Sequence, residues 1–135
     1  MKPKRTILCV DDDERSLSIR KVMLETHGYR VVTCSDPAVA LEHMRGGGID
    51  LVLTDLMMPK VSGAKLIDQI KEIAPHIPAL LFSGSVNICT EEHLADAWLP
   101  KGELAPMELL ERIRLLLVRR RGPRRVIAIP RQMAS

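Results

Sequence analysis

The apolar positions of the chain change period repeatedly along its length. "TILCV", Thr6 to Val10, is a short continuous apolar run, as expected of a strand buried on both faces. From Ser16 to His27 the apolar residues Ile19, Val22 and Met23 fall on one helical stripe, and Gly28 supplies a stop. "RVVTCS" reads as the next strand, "PAVALEHMR" as a helix opened by Pro37 and closed by Gly46, Gly47 and Gly48, and "IDLVLTD" as a third strand. A helix from about Ser62 to Ala74 carries Leu66, Ile67, Ile70 and Ile73 inward. It is followed by a strand "ALLFS", a short acidic helical piece near "TEEHLAD" and a strand "AWLPK". A last helix from about Pro106 to Arg120 buries Leu109, Ile113 and Leu116. Five β–α units in alternation predict an α/β domain: a parallel sheet covered by helices on both faces, without internal repeats.

Composition fits that outline. A chain of 135 residues with 46% apolar content suits one domain with a core of its own. Tyr29, Phe82 and Trp98 are the only aromatic residues, so the core is aliphatic. Cys9, Cys34 and Cys89 are odd in number and scattered, which argues against a disulfide framework and for a reducing compartment. No apolar run approaches a membrane span, and "MKPKR" leads into too short an apolar run for a signal peptide. A cytoplasmic protein is expected.

The net charge of +3 hides an asymmetry. Arg119, Arg120, Arg121, Arg124, Arg125 and Arg131 lie in the last 17 residues; without these six, 14 of the 20 basic residues face 17 acids, so residues 1–118 carry −3. The expected organisation is a mildly acidic domain over 1–118 and a flexible basic tail over 119–135. That tail is too short to fold alone and is broken by Gly122-Pro123 and Pro130. Its arginines suit polyanions, and "VIAI" suits a partner's sheet edge or the body of the domain. No DNA-reading helix is visible, so sequence-specific DNA binding is not expected.

In open α/β sheets the working site lies outside the carboxyl ends of the strands. That rule gathers Asp11 and Asp12 from the first strand, Asp55 from the third, Ser83 from the fourth and Lys101 from the fifth. Asp11, Asp12, Asp13 and Glu14 are four consecutive acids, and like charges so close call for a positive partner among them.

"VDDD" after the first strand, "LVLTDLMMPKVSG" after the third, "LLFSGS" after the fourth and "WLPKG" after the fifth resemble the receiver domain of two-component response regulators, over roughly residues 4–118. The resemblance implies a flavodoxin-like, doubly wound sheet of strand order 2-1-3-4-5. It also implies a signalling domain, not an enzyme with a separate substrate, that takes a phosphoryl group from a histidine kinase or histidine phosphotransfer protein. Asp55 is the implied phosphoacceptor, a carboxylate acting as nucleophile toward phosphorus. Mg²⁺ is the implied cofactor, since it prefers oxygen ligands and bridges phosphoryl oxygens. Asp12 and Asp55 are its expected direct ligands, Asp11 binds directly or through water, and the Met57 carbonyl completes the set by analogy. Lys101 would neutralise charge on the transferring group, and Ser83 would donate a hydrogen bond to it. Asp13 and Glu14 are read as acids at the N-terminus of the first helix.

Three departures from the receiver pattern stand out. Only 15 positions separate Ser83 from Trp98, so the usual fourth helix is expected to be shortened. Gly102 follows Lys101 where many receivers have proline, and Trp98 occupies the place of a switch Tyr or Phe. All three lie on the face through which many receivers dimerise; a homodimer remains compatible with the sequence. Two rival readings are a receiver-like scaffold that binds without phosphorylation and a Mg²⁺-dependent phosphatase of the haloacid-dehalogenase kind. The latter's Asp-x-Asp-x-Thr/Val motif finds Asp11 and Asp13 but Arg15 in the last place. Cys89 and His93 have helical metal spacing without further ligands nearby, and His27, His43 and His76 are isolated.

Overall fold

The strands in the computed structural model, which describes residues 4–56, 58, 60–83, 95–100 and 106–120, are short and rich in apolar residues. The strands are β1 (Thr6–Val10), β2 (Arg30–Cys34), β3 (Leu51–Asp55), β4 (Ala79–Ser83) and β5 (Ala97–Pro100). They alternate with α1 (Glu14–Thr26), α2 (Pro37–Gly46), α3 (Gly63–Ile73) and α4 (Pro106–Arg120). All four strand pairs are parallel, in the order β2-β1-β3-β4-β5, as the resemblance implied. The segment between β4 and β5, where a shortened helix was expected, lies outside the described residues apart from Ala95 and Asp96.

Alternation along the strands builds two cores. On one face Leu8, Val10, Val52, Ala79 and Leu81 meet Ala40 and Met44 of α2 and Leu66, Ile67 and Ile70 of α3. On the other, Ile7, Cys9, Leu51, Leu53, Leu80, Phe82 and Leu99 meet Leu17 and Leu24 of α1 and Leu109, Ile113, Leu116 and Leu117 of α4. Burying an aliphatic side chain contributes about 1.5–3 kcal/mol, and α4 buries four, Leu109, Ile113, Leu116 and Leu117.

Local signals set the helix starts. Asp13, Asp36 and Ser62 are N-caps, each accepting a backbone N–H two or three residues on, and Pro37 takes the first position of α2. At the end of α2, Gly47 and Gly48 have φ of 82° and 86°, a region that suits glycine.

The inward face of α1 differs from the sequence reading. Ile19 and Val22 are 65% and 64% exposed, and Met23 is only partly buried. Leu17, Arg20 and Leu24 face the sheet instead, a stripe with i, i+3, i+7 spacing. An arginine thus occupies a position that an apolar pattern search passes over.

Candidate functional site

Parallel strands bring their carboxyl ends to one edge, and the loops leaving β1 and β3 carry the acids there. Asp11 follows Val10 directly and is fully buried, its N–H donating to the Cys34 carbonyl at 3.1 Å, which ties the end of β1 to β2. Asp55 closes β3 and is 4% exposed. Asp12 lies beside them, exposed. One carboxylate oxygen from each of Asp11, Asp12 and Asp55 lies within 4.8 Å of the others. Three oxygen donors so close, two of them withdrawn from water, form a cluster that a hard divalent cation fits.

The neighbours of the cluster orient it. The Asp13 N–H donates to Asp11 Oδ1 at 3.0 Å, while the Asp13 carboxylate turns outward to accept from Arg15 N–H at 3.0 Å and the Ser16 hydroxyl at 2.9 Å. Asp13 therefore caps α1, as expected. Opposite Asp11 Oδ2 stands Arg20 Nη1, 3.6 Å away, on a side chain only 11% exposed. The Arg20 guanidinium lies over the Phe82 ring, 4.6 Å from its centroid. Arg20 is thus one positive partner of the kind that four consecutive acids called for. The sequence reading missed it, although Arg20 shares a helical stripe with Leu17 and Leu24, and a charge on an apolar stripe is the signal that could have found it.

The floor beneath Asp55 is tight. Leu56 N–H donates to the Phe82 carbonyl at 2.7 Å, and Gly63 N–H donates to the Leu56 carbonyl at 2.8 Å, folding the start of α3 back onto the end of β3. Burial pushes the nearby Cys9 thiol up to about 12, with Arg20 acting against that rise.

Of the other expected site residues, Ser83 ends β4 one residue beyond Phe82, in register with Pro100 of β5. Met57 and Lys101 lie outside the described residues, as do Gly102, Cys89, His93 and the tail beyond Arg120. Trp98 pairs in register with Leu81 and is 37% exposed. No helix among the described residues is long and apolar enough to cross a membrane.

Comparisons with known proteins agree with this geometry. A family model of the response regulator receiver domain matches residues 7–114. The response regulator MprA of Mycobacterium leprae is 33% identical over 84% of this chain and 51% of its own length. A CheY-like receiver domain protein from Methanospirillum hungatei has a TM-score of 0.78 and 26% identity, covering 87% of this chain and 97% of that one. The response regulator TrrA of Thermotoga maritima, solved in complex with Mg²⁺ and BeF, has a TM-score of 0.78 and 26% identity, covering 83% of this chain and 98% of that one. The chain spans about half the length of MprA and 12% of the length of the sensor kinase CqsS of Vibrio cholerae, to which it is also similar. With a parallel sheet of receiver order and an acidic cluster at the carboxyl ends of β1 and β3, the chain belongs to the response regulator receiver family.

Proposed function

We propose that this receiver domain accepts a phosphoryl group on Asp55 from the phosphohistidine of a histidine kinase or histidine phosphotransfer protein, and signals through a changed surface. The observation that carries the reading is the convergence of Asp11, Asp12 and Asp55, whose ligand atoms lie within 4.8 Å of one another. A carboxylate oxygen of Asp55 forms the new O–P bond as the donor's N–P bond breaks, and the electron pair leaves on the imidazole nitrogen, which takes a proton from solvent. Asp12 and Asp55 would hold Mg²⁺ directly, with Asp11 supporting from the buried side and the Met57 carbonyl completing the set. When bound, Mg²⁺ supplies charge neutralisation between the acids and the incoming phosphoryl oxygens.

The chain's own residues do the rest. Burial of Asp55 at the base of the site limits the approach of competing water. Lys101, which follows β5 in sequence, offsets charge on the transferred group, and Ser83 donates a hydrogen bond to it. The resulting aspartyl phosphate adds charge at the end of β3 beside β4, and a rearrangement passed on to β5 alters the face that carries Trp98. The arginine-rich residues 119–135 add a contact to polyanions.

Incubation with acetyl phosphate and MgCl₂, followed by intact mass, tests the reading. One added phosphoryl group, stable in acid and lost with hydroxylamine, is expected on the wild-type chain, and none on Asp55→Asn. Labelling of Asp55→Asn at the wild-type rate would exclude Asp55 as the acceptor.

A further inference from the structure

Arg20 is placed where neither packing nor solvation alone accounts for it. Its Nη1 atom is buried and lacks a hydrogen-bond partner among the described residues. The guanidinium is held between the Asp11 carboxylate, 3.6 Å away, and the face of Phe82, whose register partner is Asp55. At 3.6 Å the pair with Asp11 lies beyond hydrogen-bonding range, so Arg20 acts on the acids through charge rather than through a directional bond. The Phe82 ring and the 11% exposure keep that charge from swinging out to water.

We propose that Arg20 is a built-in counter-charge of the acidic site, which holds the metal-free cluster together and sets how weakly the site binds a divalent cation. The inference rests on the reading of Asp11, Asp12 and Asp55 as a Mg²⁺ site. Three carboxylates within 4.8 Å of one another repel, and two of them are buried, where the repulsion is less screened. A fixed positive charge against Asp11 relieves part of that repulsion before any cation arrives. The same charge opposes the cation that does arrive, because the guanidinium and a dication drawn to the same carboxylates repel each other. Arg20 is thus a positioning residue with two opposite effects: it stabilises the domain without metal and weakens metal binding. The consequence is a site that loads and unloads Mg²⁺ readily.

The test compares wild type, R20M and R20K by calorimetric titration with MgCl₂ alone and by thermal melting in EDTA and in excess MgCl₂. In R20M the Mg²⁺ Kd should fall by about tenfold, the scale of one unit charge acting on a dication several ångströms away through a partly screened path. The melting temperature of R20M in EDTA should drop, and its rise on adding MgCl₂ should exceed that of wild type. R20K keeps the charge and should keep the wild-type Kd. A lower melting temperature with an unchanged or larger Kd in R20M would mean a structural role only, and overturns the proposal. Should R20M fail to melt cooperatively, R20Q removes the charge while retaining polarity and is held to the same criterion. A wild-type chain that binds no Mg²⁺ overturns the metal site and this inference together, whereas wild-type binding with an unchanged Kd in R20M and R20Q overturns only the role of Arg20.

Discussion

Gly63, the first residue of α3, packs directly against the backbone of Asp55: a Cβ on Gly63 would strike the Asp55 carbonyl oxygen and come within 2.8 Å of its carbonyl carbon. Backbone atoms cannot yield as a flexible side chain can, so the glycine is required by space. Among the described residues Gly63 is not one of the positive-φ glycines, and its conformation alone would accept alanine.

Gly63→Ala should therefore destabilise the domain by roughly 1–3 kcal/mol, the range for extra volume forced into a packed site. The backbone that must shift carries Asp55, so phosphorylation by acetyl phosphate should slow in parallel. Thermal melting and a phosphorylation time course check both, and wild-type behaviour in both would contradict the close approach.

Mg²⁺ should raise thermal stability by mass action, by about 2.7 kcal/mol at a concentration one hundred times Kd. Asp12→Ala removes a proposed ligand and part of the repulsion with Asp11 and Asp55, so its metal-free form should melt no lower than wild type while its Mg²⁺ response shrinks or vanishes. A Mg²⁺-dependent shift as large as that of wild type would remove Asp12 from the site.

The Cys9 thiol is buried on β1 and pushed by that burial from 9.0 to about 12. Above pH 9 the unfolded chain releases this proton while the folded chain keeps it. Stability contributed by the neutral thiol is therefore complete below pH 9 and is lost progressively between pH 9 and about 12. Iodoacetamide at pH 8 should leave Cys9 unmodified in the folded protein and label it after denaturation, as peptide mass mapping would show. Rapid labelling of native Cys9 would mean that β1 opens far more often than its burial implies.

Deleting residues 119–135 should abolish polyanion binding that weakens steeply with salt, because each neutralised phosphate releases counterions. Phosphorylation of Asp55 should persist, since every proposed site residue lies at or before Lys101. Leu115 and Val118 are 42% and 53% exposed on α4, so a cover for them by "VIAI" is the competing outcome. Polyanion affinity at two salt concentrations, measured beside the melting curve of the shortened chain, separates the two. Salt-independent binding, or loss of cooperative melting, counts against an independent electrostatic tail.

Much of this architecture was legible in the sequence because it rests on local chemistry. Apolar runs such as "TILCV" and "LVL" become strands by period and length, Asp13 caps α1 through a bond to a residue two positions away, Pro37 opens α2, and Asp55 marks the end of its own strand. Once the elements alternate, a parallel sheet follows, and its carboxyl edge brings Asp11, Asp12 and Asp55 together. The orientation of α1 was not legible. Leu17, Ile19, Val22, Met23 and Leu24 spread around the helix, so periodicity admits more than one inward face. The choice fell to tertiary partners: Asp11 on one loop and Phe82 on a strand more than sixty residues away give Arg20 a charge and a ring to meet, and turning Arg20 inward leaves Ile19 and Val22 in water. Gly63 is the same kind of case. Its motif was visible, but the reason for it, a helix start pressed onto the Asp55 backbone, exists only when β3 and α3 are packed together. Periods and caps act over a few bonds, whereas the pairing of a buried charge and the exclusion of a Cβ depend on atoms that folding alone makes neighbours.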